Sequence, residues 1–89
     1  MPVISMFYGI IVRMFNNDNQ KHHLPHIHVE YQDFAAVVAI DNGEILQGEL
    51  PPRARKLLLA WMEIHKDELS ANWQLAVNGE HTFKIRPLD

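Results

Sequence analysis

His22-His23-Leu24-Pro25-His26-Ile27-His28-Val29-Glu30-Tyr31 holds four of the chain's six histidines. From Pro25 onward it alternates imidazole, aliphatic, imidazole, aliphatic, carboxylate, aromatic, which is the period of a strand with two chemically different faces. Ile27, Val29 and Tyr31 share one face. His26, His28 and Glu30 share the other, with the two imidazoles about 6.7 Å apart along the strand. The aliphatic face belongs to a core, and the histidine face carries whatever chemistry there is.

The segments on either side follow from that strand. Phe34 to Ile40 is short and apolar on both faces, as a central strand should be, and Asp41-Asn42-Gly43 is a hairpin turn signal. A two-residue Asn42-Gly43 turn would oppose Asp41 to Glu44 and mix Gln47 and Glu49 with the core face. A three-residue loop with Gly43 in the left-handed region instead aligns Leu46, Gly48 and Leu50 with Phe34, Ala36, Val38 and Ile40, and is the expected form. Between the two strands, a two-residue Gln32-Asp33 connection pairs Tyr31 with Phe34, Val29 with Ala36 and Ile27 with Val38. It places His28 opposite Val37, flanked by Ala35 and Ala39. Neither Gln32 nor Asp33 is favoured in a primed turn, so a register altered by a bulge is the alternative.

Upstream, residues 3 to 15 are rich in β-branched and aromatic types and are broken once by Gly9, which predicts a hairpin with strands near 3 to 7 and 10 to 15. Asn16 to Pro25 is a polar loop. Downstream, Pro51 and Pro52 suit a first helical turn, and Ala54, Leu57, Leu58, Trp61, Met62 and Ile64 recur at helical spacing over about 52 to 65. Leu69, Trp73, Ala76 and Val77 continue an apolar face from Asp67 to Asn78, where Asn78-Gly79 stops it. The pattern leaves open whether these are one helix or two. His81, Phe83 and Ile85 alternate with Thr82, Lys84 and Arg86 as a last strand would. The expected fold is α+β: one small domain over 1–89, an antiparallel sheet of about five or six strands built from hairpins, and one or two C-terminal helices packed on one face.

At 89 residues the chain is small enough that a lone monomer would be marginal, so an oligomer or a complex is expected. It contains no cysteine, which excludes a disulfide framework and a thiolate metal site. No apolar run is long enough to span a bilayer and no export signal is visible, so the expected location is cytoplasmic, without a membrane partner. A net charge of −3 disfavours non-specific nucleic-acid binding.

Three readings of the histidine face compete. As acid-base catalysis, His26 or His28 would serve as general base with Arg13 stabilising developing charge. As a metal site for zinc or nickel, His26 and His28 would need a third ligand from Glu30, His22, His23 or a symmetry-related copy. In the third, the imidazoles are structural. Small apolar neighbours, Ala35, Val37 and Ala39 with Ile45 one strand further, stand where a wet sheet face would show Thr, Lys and Glu, which marks these four as interface candidates. Arg13, inside an apolar strand, calls for a carboxylate, and Glu30 is the candidate. Arg53, Arg55 and Lys56 read as a solvated face, Trp61 and Trp73 as packing, and His65 and His81 as structural residues.

The opening Met-Pro-Val-Ile with Gly9, the His-x-x-Pro-His-x-His-Val block at 22 to 29, the run Glu44-Ile-Leu-x-Gly-x-Leu-Pro and the helical Asn72-Trp73 together resemble the bacterial domain of unknown function 4160 family. Leu24 stands where that family usually has a first proline. The resemblance implies a small bacterial protein often encoded beside a second small protein, of the domain of unknown function 2442 family, in an arrangement similar to toxin and antitoxin pairs. It implies no activity and no site. The expected function is therefore a protein-interaction module of such a pair, self-associating or binding a partner through the histidine-bearing sheet face. The alternatives are a histidine-dependent ribonuclease-type toxin and a transition-metal-binding protein. A sequence-specific transcription regulator is disfavoured by the acidic balance.

Overall fold

In the computed structural model, which describes residues 2–15 and 24–89, the alternating segments become five strands. These are β1 (Val3–Phe7), β2 (Ile10–Arg13), β3 (His26–Tyr31), β4 (Phe34–Ala39) and β5 (Ile45–Gly48). They form one antiparallel meander in which each strand lies beside its neighbour in sequence. Two helices follow, α1 (Pro52–Ile64) and α2 (Lys66–Val77). The class is α+β, as the pattern predicts.

The β3–β4 register is the one the hydrophobic pattern requires: Tyr31↔Phe34, Val29↔Ala36, Ile27↔Val38 and His28↔Val37, with no bulge. The unfavourable turn residues are accommodated by backbone strain instead, since Gln32 takes φ 53. A left-handed conformation costs a non-glycine residue about 1–2 kcal/mol. Gln32→Gly should relieve this, less about 0.4–1 kcal/mol for the freer unfolded chain, and so stabilise by roughly 0.5–1 kcal/mol. A thermal melt should show a rise of a few degrees. An unchanged or lower midpoint would show that the turn is not strained. At the first hairpin Tyr8 (φ 48) and Gly9 (φ 81) both lie in the left-handed region, the geometry of a two-residue primed turn.

The β4–β5 hairpin keeps Ala36↔Gly48 and Val37↔Gln47, as the three-residue loop predicts, with Gly43 at φ 72. A register shift next to the turn then pairs Val38 with Ile45 rather than Leu46. The loop closes through Gly43 N–H to Ala39 C=O at 2.9 Å and Ala39 N–H to Glu44 C=O at 2.8 Å, while Ile40 N–H turns to Pro25 C=O, so the connection is the four residues 40–43 in place of the expected three.

The core lies on the Ile27 face. Ile10, Val12, Ile27, Val29, Ala36 and Val38 are buried there with Leu58, Trp61, Met62, Leu69 and Ala76 of the helices. Trp61 is fully buried, with Phe7 at 5.1 Å between ring centroids. Pro52 opens α1, where the missing N–H leaves no bond unmade, and Asp67 and Glu68 complement the dipole at the start of α2. There are two helices and not one rod. Hydrogen bonds run through the junction, His65 N–H to Trp61 C=O and Leu69 N–H to His65 C=O, but His65 itself departs to φ −111, ψ 26.

The tail corrects one expectation: residues 81–86 do not form a sixth strand. One backbone hydrogen bond joins them to β1 among the described residues, Ile85 N–H to Ile4 C=O at 2.7 Å. The peptide groups a ladder would use are taken by helix side chains. Asn72, fully buried, donates Nδ2 to Phe83 C=O at 2.8 Å and accepts Phe83 N–H at 2.9 Å. Trp61 Nε1 donates to Arg86 C=O at 2.8 Å. Ile85 is thereby pressed into the core.

Candidate functional site: the histidine face of the sheet

Residues directly opposed across strands share a face, so the register sorts the face opposite the Ile27 side into rows, the His26 end of which is covered by Trp73 of α2. One row is Met6-Ile11-Glu30-Ala35, the next Arg13-His28-Val37-Gln47, and the third begins with His26 and Ala39. His26, His28, Glu30 and Arg13 therefore do lie on one face, as the alternation predicts.

Their environments differ. His26 has no exposed surface. Its Nδ1 lies 2.8 Å from the Leu24 carbonyl, an acceptor only, so the ring donates from Nδ1 and the neutral tautomer carries its lone pair on Nε2. The ring packs on Trp73 (centroids 4.9 Å, 56°) and meets His28 edge-on at 5.4 Å. His28 is half-buried, with Phe15 edge-on at 4.3 Å. Arg13 Nε donates to Glu30 Oε1 at 2.6 Å, the partner that residue chemistry pointed to. The pair is partly solvated, with side chains 29% and 48% exposed, and contributes on the order of 0–1 kcal/mol.

For catalysis, the arrangement brings His26, His28 and Arg13 onto one surface but closes His26 from solvent. For a metal, Glu30 is engaged by Arg13, and among the described residues no three His, Cys, Asp or Glu side chains gather as an ion would require. His22 and His23 lie outside the described residues. Of the interface candidates, Ala35 is exposed and Ile45 half-buried, whereas Val37 (8%) and Ala39 (3%) are covered within the protomer. Those two small side chains sit low between larger neighbours, Val37 between His28 and Gln47 and Ala39 beside His26.

Two contributors were not singled out from sequence. Met6 is 60% exposed and Ile11 half-buried, and both extend the Glu30-Ala35 row. Alternation with buried Phe7 could have found Met6. Helical spacing assigns Trp73 to packing, and its contact with His26 depends on where α2 lies.

These features define a small α+β domain with a histidine-bearing sheet face. The chain belongs to the domain of unknown function 4160 family: the model for "Domain of unknown function (DUF4160)" matches residues 9–74. The match includes β2 to β5, α1 and most of α2, while β1 and the tail lie outside it. No curated protein and no solved structure matches the chain. Among the described residues no helix is long and apolar enough to cross a membrane.

Proposed function

We propose that this protein is an interaction module that docks through the outer face of its sheet onto a second copy of itself or onto a small protein encoded beside it. The observation that supports this reading is the row Met6-Ile11-Glu30-Ala35, which runs across four strands on the face opposite the Ile27 side. Met6 and Ala35 are exposed there, and Ile11 is half-buried. Glu30, inside that row, is paired with Arg13 of the neighbouring row, so its carboxylate is engaged beside the apolar Met6 and Ile11. The ribonuclease and metal readings have less support, because His26 is closed to substrate and Glu30 is already paired with Arg13.

Sedimentation of the wild type against Met6→Glu and Ala35→Glu tests this, because both sites are exposed and both changes should leave the fold intact. Each substitution places a carboxylate in the apolar contact, and should weaken association about tenfold or more, which is about 1.4 kcal/mol at the interface. A wild type that stays monomeric up to roughly millimolar concentration, with no complex formed on co-expression with the neighbouring small protein, would remove the reading.

A further inference from the structure

β1 is an edge strand, and among the described residues its outer edge is only partly paired. In the two-residue Tyr8-Gly9 hairpin, Phe7 and Ile10 form the hydrogen-bonded pair that closes the turn. Met6, one residue back, therefore directs its N–H and C=O away from β2. The tail meets this edge through Ile85 N–H to Ile4 C=O and, among the described residues, through no other backbone hydrogen bond. Between edge and tail lies an open groove of about 400 Å³, lined by Val3 to Met6 and by Lys84 to Pro87. Its far wall needs no ladder to stay in place, since Asn72 and Trp61 hold Phe83 and Arg86 from the helices.

The lining is apolar apart from Ser5 and two cations, Lys84 and Arg86, and it includes no acid. On a chain of net charge −3 this is a local inversion of sign. Arg86 already carries a carboxylate: its Nη2 donates to Asp89 Oδ2 at 3.2 Å, with both side chains more than three-quarters exposed. Such a solvated pair is easily exchanged for another.

We infer that this groove is a docking slot for an extended acidic segment of a partner polypeptide. The segment adds to the β1 edge through the Met6 main chain and sets a carboxylate against Lys84 or Arg86. Edge strands present unpaired main-chain groups that recruit a further strand, and alternate side chains then supply selectivity. Here the apolar wall accepts one face of the incoming strand and the cations select the charge of the other. The slot is separate from the outer sheet face, which takes the Met6 side chain rather than its peptide groups.

Titration of the full ¹⁵N-labelled chain with acetyl-Val-Glu-Val-Glu-Val-amide, and with the same peptide carrying lysine for glutamate, tests the slot. The glutamate peptide should shift the amides of Val3 to Met6 and of Lys84 and Ile85, saturating below about 1 mM. The lysine peptide should bind at least about tenfold more weakly. A Lys84→Glu, Arg86→Glu double variant, whose sites are exposed, should reverse that order while keeping a dispersed spectrum. No shift along β1, or equal binding of the two peptides, would overturn the proposal. Shifts confined to Ile11, Glu30 and Ala35 would overturn it too, and would leave the sheet-face reading standing.

Discussion

Gly48→Ala should remove roughly 3 kcal/mol or more of folding stability, a large part of the total for a domain of this kind. Gly48 closes β5 at φ 81, and a Cβ added there would stand 2.1 Å from the Ala35 carbonyl oxygen and 3.0 Å from Ala36 Cα. Both obstacles are backbone. The Ala35 carbonyl accepts the Glu49 N–H at 3.2 Å, and Ala36 is the ladder partner of Gly48, so neither can retreat without opening the β4–β5 pair. Gly43→Ala is the informative comparison. At φ 72 it carries similar backbone strain, but its Cβ would meet Leu59 Cδ2, the end of a side chain that can rotate. Urea denaturation of the two variants should therefore rank Gly48→Ala well below Gly43→Ala. A Gly48→Ala loss under about 1 kcal/mol would mean that the strand end relaxes freely.

Asn72→Leu should be nearly as damaging, through a different cause. Leucine keeps the branched shape and leaves no cavity, but it is bulkier than asparagine and so adds some overpacking at this fully buried site, and the Phe83 N–H and C=O both lose their partner. Leaving buried polar groups unpaired costs about 1–3 kcal/mol each, and the pair together about 2–4 kcal/mol if the tail partly rearranges to reach water. Hydrogen exchange should quicken at Phe83 and Ile85 before it does in the sheet. If stability falls by less than about 1 kcal/mol and protection at those amides is unchanged, the tail is held by burial of Ile85 rather than by the Asn72 amide.

How far the fold could be read in advance follows from what a side-chain pattern encodes. The β3–β4 register was legible because the two faces of β3 differ chemically, so a one-residue slip would put His28 in the core. The shift at Leu46 was not, because Ile45 and Leu46 are both apolar and alternation is silent between them. The tail misled for a related reason. Phe83 and Ile85 alternate with polar residues in any extended chain, whether its peptide groups meet a strand or the amide of Asn72. Of the candidate site, the Arg13–Glu30 pair was legible from residue chemistry, since a cation in an apolar strand needs a carboxylate on its own face. The setting of His26 was not. It depends on Trp73, which packs on the ring from α2, beyond the point where the backbone departs from helix at His65, and no periodicity reports the angle between two helices. Small residues such as Val37 and Ala39 mark a place where something can approach, but do not distinguish a partner from the protomer's own larger side chains.

The order of the meander also bears on time. Every ladder joins strands adjacent in the chain, so the sheet can assemble by successive short closures, the kind that favour fast folding. The bond from Ile85 to Ile4 is the exception, because it spans nearly the whole chain and its clamps require α1 and α2 to be seated first. Such a contact is expected to have little share in the rate-limiting step of folding, and its loss should appear mainly as faster unfolding. The tail is then a latch closed after the sheet and helices have formed, and its strength governs the lifetime of the native state rather than the speed with which it is reached.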